Sequence, residues 1–506
     1  PVPVPCSSGG SKTDPGGFTA GTARFLFFWC TSKIKGNSMK LENIKHDLTL
    51  PAVKGLNVAA LTAAFFLGWS LFYVGFMGST ALKWTGYILS GLFFFMYALF
   101  GKVYDAFMIS TNRISELVYS QALAAIISDG MMYVVICLLM RRWMNPLGIF
   151  CVFVVQMVLA VIWCVGAHRW YFASFPARRS AVIYDIRRGM DQLIREYGMD
   201  KKFDVQLKVH AEECVKNPDM LKGMEAVFLS GVHSHERNIL LKYCIINSIS
   251  VYVIPRIGDI LMSGTKPVHM FHLPILRADR YNPPLGYLIA KRTFDIVAAG
   301  LALIVTSPVF LLTAIAIKRE DGGPVFYKQE RLTKNGKKFY IHKFRSMRVD
   351  AEKDGVARLS SGDNDSRITP VGRIIRKIRV DELPQLLDIL AGNLSVVGPR
   401  PEREEIALQY EKELPEFRLR LQAKAGLTGY AQVYGKYNTT PYDKLQMDLM
   451  YIANPSFMED LRICFATVKI LFMPESTEGV AEGATTAMGQ EAALGEMAAT
   501  KVEKEK

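Results

Sequence analysis

The chain has 506 residues, of which 50% are hydrophobic, and its formal net charge is +14 at pH 7. This content, with a mean hydropathy of +0.15, indicates a membrane protein of several domains and argues against a single soluble domain. The positive charge suits an anionic membrane surface and phosphorylated substrates. Because no zinc-finger, helix-turn-helix or RNA-binding motif accompanies the charge, we do not expect nucleic-acid binding.

Residues 1–54 are predicted to be a cytoplasmic N-terminal segment, partly disordered because residues 1–17 are rich in Pro, Gly and Ser. No cleavable signal peptide is expected, since the first long apolar run begins near residue 56. The eight cysteines are scattered without a Cys-x-x-Cys pair. That pattern is typical of a reducing compartment and does not favour a zinc site.

Four long apolar segments predict a membrane bundle of four transmembrane helices over residues 55–170. Each segment is close to the ~20 residues that cross a bilayer as a helix. The segments are 56–78, 84–100, 117–140 and 147–167. Lys and Arg residues precede the first segment and follow the fourth, so the positive-inside rule places both ends in the cytoplasm. Arg141 and Arg142, in a loop that this topology places outside, go against the rule.

Residues 176–284 read as a soluble insert with a Rossmann-like α/β fold, because short apolar strands alternate with helix-like segments. The predicted strands are 181–184, 205–209, 226–230 and 249–254. The segment after the first strand, 184–189, lacks the glycine fingerprint of dinucleotide-binding domains, which favours a structural or regulatory module over a nucleotide binder. His233-Ser-His-Glu236 offers only part of a metal ligand set, so a polar loop leading into a helix is the favoured interpretation.

A fifth apolar stretch, residues 294–317, is long enough to span a bilayer but contains Ser307-Pro308 in its middle. Pro308 has no N–H for the carbonyl of Ile304, so a bend is expected there, with the Ser307 hydroxyl as a substitute partner. Positive residues flank both ends of the stretch, which predicts a re-entrant hairpin with both ends in the cytoplasm. A kinked full span is the alternative. Asp295, at its start, is expected to pair with Arg292 at i, i+3 spacing.

The next feature is the acidic pair in Arg379-Val-Asp-Glu-Leu-Pro-Gln385, followed by the basic turn Gly398-Pro-Arg-Pro401. Apolar spacing predicts a helix that starts near Leu383 and stops at Gly392, which places Asp381 and Glu382 at a helix N-terminus. Free N–H groups there favour anions, so ionised carboxylates and a docked phosphate are both expected. Taken alone, ordinary helix capping by Asp381 is the simpler interpretation.

Several blocks surround the acidic pair in a fixed order. They are 327–331, 343–347, 372–376 and 425–433. With the segment that starts Lys291-Arg-Thr-Phe-Asp295, these blocks resemble the bacterial sugar transferases that act as polyprenyl-phosphate glycosyl-1-phosphate transferases. The four apolar segments and the insert resemble the large, multi-span branch of that family, in which a domain related to CoA-binding domains occupies this position. The resemblance implies a membrane-associated α/β transferase module at 288–474, with a re-entrant helix at 294–317 that holds the active site at the membrane interface.

The resemblance also implies a reaction: a sugar-1-phosphate passes from a UDP-sugar, with a UDP-hexose as the expected donor, to polyprenyl (undecaprenyl) phosphate, and UMP leaves. Asp381 matches the family's nucleophile, and Glu382 the position that holds Mg²⁺. Lys343, Arg376 and Arg400 match basic positions that would bind substrate phosphates, and Gln432 would add an amide. The start of a cell-surface glycan on the inner membrane of a bacterium is the implied role.

This chain departs from many relatives at Lys424-Ala425 and at Tyr434-Gly-Lys436, where an Arg is more usual, and Lys lacks the planar fork with which an Arg would contact phosphate or sugar. Two other functions compete with the transferase: a membrane scaffold or regulator with a ligand-sensing insert, and a membrane-anchored nucleotide-sugar oxidoreductase. The sequence leaves the sugar and the oligomeric state open, a homo-oligomer included. Residues 475–506, rich in Ala, Gly and Glu, are predicted to be a disordered tail.

Overall fold

A computed structural model describes residues 49–76, 82–187, 189–349, 351, 367–435 and 439–471. The predicted tail at 475–506, Lys436 and most of the predicted N-terminal segment therefore lie outside the described residues. The chain divides into two compact units, one of residues 1–98 and 125–167, the other of residues 99–124 and 168–506.

Five helices are long and apolar enough to cross a membrane. They are α1 Thr49–Phe72, α2 Leu82–Val103, α3 Ile114–Met140, α4 Leu147–Ser174 and α9 Leu285–Asp321. The first predicted segment, 56–78, begins inside α1 but runs past its end: the helix stops at Phe72, before a 3₁₀ turn at Val74–Phe76. Pro51 is tolerated near the start of the described helix, and residues 77–78 lie outside the described residues.

The interior of the first unit includes polar and aromatic side chains beside aliphatic ones, and its exterior is apolar. Phe93 stacks on Phe65 with ring centroids 4.7 Å apart, and the Tyr97 hydroxyl donates to the Asn57 side-chain oxygen at 3.2 Å. Large apolar side chains point outward, with Leu138 73% exposed. This is the arrangement of a membrane bundle, in which the outward-facing apolar side chains contact lipid instead of protein.

The insert is an α/β domain built on a parallel sheet. Its strands are β1 Arg178–Tyr184, β2 Phe203–His210, β3 Ala226–Ser230 and β4 Ser250–Val253, in the order β2-β1-β3-β4. The helices are α5 Met190–Glu196, α6 Ala211–Lys216, α7 Ser234–Ile246 and α8 Ile257–Ser263. Ala181 and Ile183 pack in one cluster and Val182 in another, so both faces of the sheet are covered, as parallel sheets require. An antiparallel hairpin follows, with strands β5 Lys266–Met270 and β6 Leu273–Arg277.

The His233-Ser-His-Glu236 segment lies at the start of α7, as the sequence predicted for a polar entry to a helix. His233 and His210 both contact the Asp185 carboxylate at the carboxyl ends of neighbouring strands, His210 at 3.6 Å. Over the part of the chain that the structure describes, no group of three or more His, Cys, Asp or Glu residues has the arrangement of a metal site.

The module after the insert combines small sheets with short helices. Strands β7 Phe326–Leu332 and β8 Lys338–Phe344 pair antiparallel, and β9 Ser395–Val397 pairs in parallel with β10 Gly426–Thr428. The helices are α10 Pro370–Lys377, α11 Gln385–Ala391, α12 Glu404–Glu413, α13 Tyr430–Tyr434, α14 Pro441–Ala453 and α15 Phe457–Leu471. One core joins Ala299 of α9, Ile341 of β8 and Ile389 of α11, so α9 is part of this module.

Helix α9 runs without interruption from Leu285 to Asp321, with Pro308 inside it. The Ser307 hydroxyl donates to the Ile304 carbonyl at 2.8 Å, and that carbonyl is the one to which Pro308 cannot donate. The neighbouring Thr306 hydroxyl donates to the Ala302 carbonyl at 2.6 Å. Side-chain hydroxyls therefore stabilise the helix at the point where the proline weakens it.

The predicted ion pair between Arg292 and Asp295 was wrong. Arg292 donates to the carbonyls of Ile389 and Leu390, at 2.7 and 2.8 Å, at the end of α11. Asp295, which is 3% exposed, accepts from the Ser395 hydroxyl at 2.9 Å and from the Val396 amide at 2.9 Å. Tertiary partners on the module satisfy both groups better than i, i+3 pairing does, and they fix the first half of α9 against α11 and β9.

Candidate functional site

The acidic pair lies on a single 3₁₀ turn, Val380–Glu382, between α10 and α11. Arg379 precedes the turn with a left-handed backbone (φ 56°), which is uncommon for residues other than Gly and often accompanies functional turns. Helix α11 ends at Gly392 with φ 86°, so the predicted helix stop is confirmed. Neither the turn nor α11 has a side-chain cap, which means that Asp381 does not cap a helix.

Glu382 forms ion pairs with two cations from distant parts of the chain. Its Oε1 accepts from Lys343 Nζ at 3.1 Å and from Arg400 Nη2 at 3.0 Å. Burial would raise the pKa of Glu382, but the charges of Lys343, Arg400 and Arg379 outweigh burial and hold the pKa well below its usual range. Glu382 is therefore ionised, and it keeps both cations at the turn.

Asp381 has a different environment from its neighbour. Within the described residues, its carboxylate makes no hydrogen bond. Burial raises its pKa, and the adjacent negative charge of Glu382 adds to the rise, while the charges of Lys343 and Arg376 oppose it. The turn thus carries one carboxylate that is fixed by two cations and another of raised basicity, which is how a nucleophile and its support would differ.

A buried contact holds the acidic turn against strand β8. Asp388, on α11, is 2% exposed and accepts from the His342 amide at 2.8 Å, and its other oxygen lies 2.6 Å from His342 Nδ1. His342 is next to Lys343 on β8, so this contact fixes the distance between Lys343 and the helix that follows the acidic pair. The position of the cation therefore depends on β8 and α11 together.

The loop that carries Arg400 is shaped by two glycines that approach each other. A Cβ on Gly426 would lie 2.1 Å from the Gly398 amide nitrogen, and one on Gly398 would lie 2.3 Å from the Lys424 carbonyl oxygen. The Gly398 amide donates to the Thr428 carbonyl at 2.8 Å, and the Gly426 amide donates to the Pro399 carbonyl at 2.9 Å. No side chain fits between these backbones, so both positions require glycine.

We expect Gly426→Ala to destabilise the protein by about 1–3 kcal/mol, because the new methyl group must displace the Gly398 backbone. The Arg400 loop should shift with it, so any enzymatic activity should fall as well. Thermal unfolding in detergent measures the first effect. The control is Gly258→Ala in α8, where nothing lies within 4 Å of the added Cβ and the melting temperature should hold or rise slightly. Equal melting temperatures for both variants would contradict this account of the loop.

The remaining predicted site residues fall into two groups. Arg376, near the end of α10, lies close enough for its charge to lower the pKa of Asp381. Gln432 lies on α13 with both of its side-chain amide atoms buried and without a hydrogen-bond partner within the described part of the chain. Its Oε1 faces Gly429, which adjoins Gly398. The structure brings Asp381, Glu382 and the three cations together, and it leaves the Gln432 amide beside the glycine loop.

Lys424, one of the departures from the family pattern, has a structural contact. Its ammonium donates to the Gly392 carbonyl at 2.9 Å, at the end of α11 where Arg292 also donates. Cations at a helix C-terminus stabilise the exposed carbonyls there. Of the second departure, Tyr434 is 46% exposed and packs on Tyr430 with ring centroids 5.1 Å apart, and Lys436 lies outside the described residues.

Sequence reasoning missed two arginines near the site. The charge of Arg379 opposes the rise in the pKa of Asp381 and contributes to the lowered pKa of Glu382. The position of Arg379 beside the acidic pair could have identified it from the sequence. Arg331 lines a crevice of about 260 Å³ together with Lys343 and Arg400. Burial lowers the pKa of Arg331 to about 10. In the sequence, Arg331 could be singled out only by its position in the 327–331 block, because no motif or spacing relates that block to Arg400.

Comparisons with known proteins match the module that carries the acidic turn. The family model for bacterial sugar transferases matches residues 286–474. A UDP-N-acetylgalactosamine-undecaprenyl-phosphate N-acetylgalactosaminephosphotransferase from Aeromonas hydrophila is 38% identical over 234 residues, which are 46% of this chain and 54% of that protein. The match thus spans about half of the length of that relative.

Two shorter relatives are covered more fully. The exopolysaccharide production protein PSS from Rhizobium leguminosarum bv. phaseoli is 42% identical over 190 residues, which are 36% of this chain and 94% of that protein. A UDP-glucose:undecaprenyl-phosphate glucose-1-phosphate transferase from Caulobacter vibrioides is 39% identical over 199 residues, which are 38% of this chain and 74% of that protein. With its acidic turn, its surrounding cations and these matches, the chain belongs to the bacterial sugar transferase family.

Proposed function

We propose that this protein transfers a sugar-1-phosphate from a UDP-sugar to polyprenyl phosphate and releases UMP, the first step of a cell-surface glycan such as an exopolysaccharide, capsule or O-antigen. The observation that carries the proposal is the acidic turn, where Glu382 holds Lys343 and Arg400 beside the carboxylate of Asp381. Fixed cations of this kind can neutralise a diphosphate and the charge that develops during transfer. The activities for which the Aeromonas and Caulobacter relatives are named point to the same chemistry.

The chemistry divides into two displacements at phosphorus. In the first, an Asp381 oxygen attacks the phosphorus that bears the sugar, the bond from that phosphorus to the oxygen bridging to the UMP phosphate breaks, and UMP leaves with that oxygen. In the second, an oxygen of polyprenyl phosphate attacks the same phosphorus and the bond to Asp381 breaks, which returns the carboxylate. Ping-pong kinetics follow from a covalent intermediate. The raised pKa of Asp381 makes it the better nucleophile of the pair.

The donor set fits Mg²⁺ as the cofactor. The site offers two adjacent carboxylates, and magnesium usually takes one or two protein carboxylates with water and substrate phosphate oxygens completing its shell. Glu382 would hold the ion, since both cations contact one of its carboxylate oxygens, Oε1. The ion, when bound, neutralises the diphosphate and polarises its phosphorus–oxygen bonds. Lys343 and Arg400 orient the same phosphates, and the guanidinium suits bidentate contact best.

We propose that α9, although its helical hydrogen bonding continues from Leu285 to Asp321, bends at Pro308 and is re-entrant, so that the proposed active site faces the membrane. Both ends of α9 are anchored on the same module: Lys291 contacts Asp460 at 3.0 Å near the start, and Asp321 contacts Arg345 at 2.7 Å at the end. A helix that crossed the bilayer would carry one end to the opposite side, about 30 Å away. Between the anchors the helix exposes apolar side chains to the membrane, of which Val305 is 76% exposed and Leu312 66%.

Cysteine labelling in oriented vesicles tests this topology. In a variant without the native cysteines, Leu285→Cys and Lys328→Cys should both react with a membrane-impermeant reagent from the cytoplasmic side, because the positive residues at both ends of α9 stay inside. Trp143→Cys, in the loop between α3 and α4, is 85% exposed and should react from the opposite side. If positions 285 and 328 label from opposite sides, α9 spans the bilayer and the re-entrant topology is wrong.

The function is tested by UMP release. The protein, purified in detergent, is supplied with polyprenyl phosphate, Mg²⁺ and each of a panel of UDP-sugars. Release with one or a few sugars that requires the lipid phosphate would support the proposal and name the donor. No release with any sugar, from protein whose melting temperature shows it to be folded, would overturn it and favour the scaffold or regulator that the sequence also allowed.

A further inference from the structure

The loop that carries Arg400 depends on other parts of the chain for its position. Arg400 lies between the end of β9 and the start of α12, in a stretch without regular secondary structure, and its side chain is 42% exposed. A loop side chain that reaches across to Glu382 can take many orientations unless its backbone is held. The residues that hold the backbone of this loop therefore determine where Arg400 lies in the phosphate site.

The buried guanidinium of Arg420 contacts the loop at two points, in addition to Arg331, which donates to the Pro401 carbonyl at 3.3 Å. Arg420, whose side chain is 4% exposed, donates through Nη2 to the Arg400 carbonyl at 2.8 Å. Its Nη1 lies 3.7 Å from a carboxylate oxygen of Glu402, two residues further along the same loop. The rigid fork of an arginine suits such a two-point contact, which an ammonium group could not reproduce.

Helix α14 holds Arg420 in turn. Asp448, on α14, is 1% exposed, and its Oδ2 lies 2.7 Å from Arg420 Nη2. The Phe417 ring lies under the guanidinium, 4.8 Å from its carbon to the ring centroid. A buried charge is stable only with such partners, so the positions of Arg420 and α14 are linked.

The insert is attached to the same helix. Arg187, in the loop after β1, makes two hydrogen bonds to the Asp443 carboxylate, at 2.7 and 3.1 Å. Gln446, also on α14, donates to the Pro255 carbonyl of the insert. Ile260, on α8 of the insert, lies in the core cluster that includes Leu449 of α14. The helix therefore contacts the insert through one set of residues and Arg420 through another.

We propose that Arg420 is a positioning residue for Arg400, and that α14 links the placement of the insert to the donor-binding geometry of the transferase site. The inference rests on the proposed function, in which Arg400 binds the donor diphosphate. A match of 190 residues covers 94% of the Rhizobium relative, which is too short to hold both the module and an insert of this size. The module thus occurs in the family without such an insert, and here the insert acts by adjusting a site that the module already contains.

The direct contact is tested with Arg420→Met and Asp448→Asn. Each should raise the KM for the UDP-sugar on the order of tenfold and lower kcat by less than about threefold, because donor binding is what Arg400 serves. A variant that was only less stable would lose active molecules and lower kcat without changing KM. Arg420→Met should add no further loss of donor affinity in an Arg400→Met background, measured by calorimetry, which needs no turnover. Additive losses would mean that Arg420 does not act through Arg400.

The link to the insert is tested by charge reversal. Arg187→Asp alone and Asp443→Arg alone should each raise the donor KM by about threefold, and the double variant should restore it because the ion pair is rebuilt. Arg195→Asp is the matched control, since Arg195 pairs at 3.3 Å with Asp191 inside the insert and is 72% exposed. If the single variants leave KM unchanged, or the double variant fails to recover, the insert does not set the site. If the wild type is active and none of these variants changes the donor KM, this inference alone is overturned. If the wild type is inactive, the proposed function is overturned.

Discussion

Asp381→Asn is expected to abolish UMP release, with a loss of at least about a thousandfold in kcat. The amide keeps the shape of the side chain but cannot form the bond to phosphorus on which the first displacement depends. Because the Asp381 carboxylate makes no hydrogen bond within the described residues, the substitution breaks no described contact. Folding should therefore be unchanged, and stability should rise slightly, since a carboxylate with a raised pKa is disfavoured in its charged form at pH 7.

The matched control is Asp388→Asn, the same substitution on the adjoining helix α11. Asp388 is buried and holds His342 beside Lys343, so Asp388→Asn should lower the melting temperature and reduce activity only in part, because it displaces Lys343 but removes no reacting group. Steady-state UMP release and thermal unfolding, measured on both variants, separate the two roles. Substantial turnover by Asp381→Asn would exclude a covalent intermediate at this residue and leave direct attack by the lipid phosphate as the mechanism.

Features that follow from local rules could be predicted. The position of Asp381 and Glu382 just before a helix, the helix stop at Gly392 and the four strands of the insert follow from spacing, from glycine geometry and from apolar runs, and all of these are local properties.

Contacts between distant segments could not be predicted in the same way. Helical spacing offered Asp295 a partner three positions away, in Arg292, yet Ser395 and Val396, a hundred residues further along the chain, hydrogen-bond to it instead. The contacts of Arg420 could not be predicted from the sequence either. Its partners lie on two separate parts of the module, Arg400 and Glu402 on one loop and Asp448 on α14, and no spacing rule connects residues that only the folded chain brings together.

Glu382→Gln is expected to lower kcat on the order of a hundredfold and to raise the Mg²⁺ concentration for half-maximal activity by about tenfold. The amide can still accept a hydrogen bond, but it carries no charge to hold a metal ion or to balance Lys343 and Arg400, which both lie within 3.1 Å of one carboxylate oxygen. Those two cations would then repel each other. Magnesium titrations of UMP release, at saturating donor, measure the effect.

The lowered pKa of Glu382 gives this prediction a pH dependence. Because the folded pKa lies below the ordinary 4.5, the ionised group stabilises the folded state above pH 4.5, and that stabilisation is lost as the pH falls toward the folded pKa. Wild type should thus melt above Glu382→Gln at pH 7, and the gap should narrow as the pH is lowered from 4.5. Glu405→Gln, an exposed residue of α12, is the control and should change neither the magnesium requirement nor the melting temperature. An unaltered magnesium requirement in Glu382→Gln would show that the ion is held by other groups, with Asp381 the first to examine.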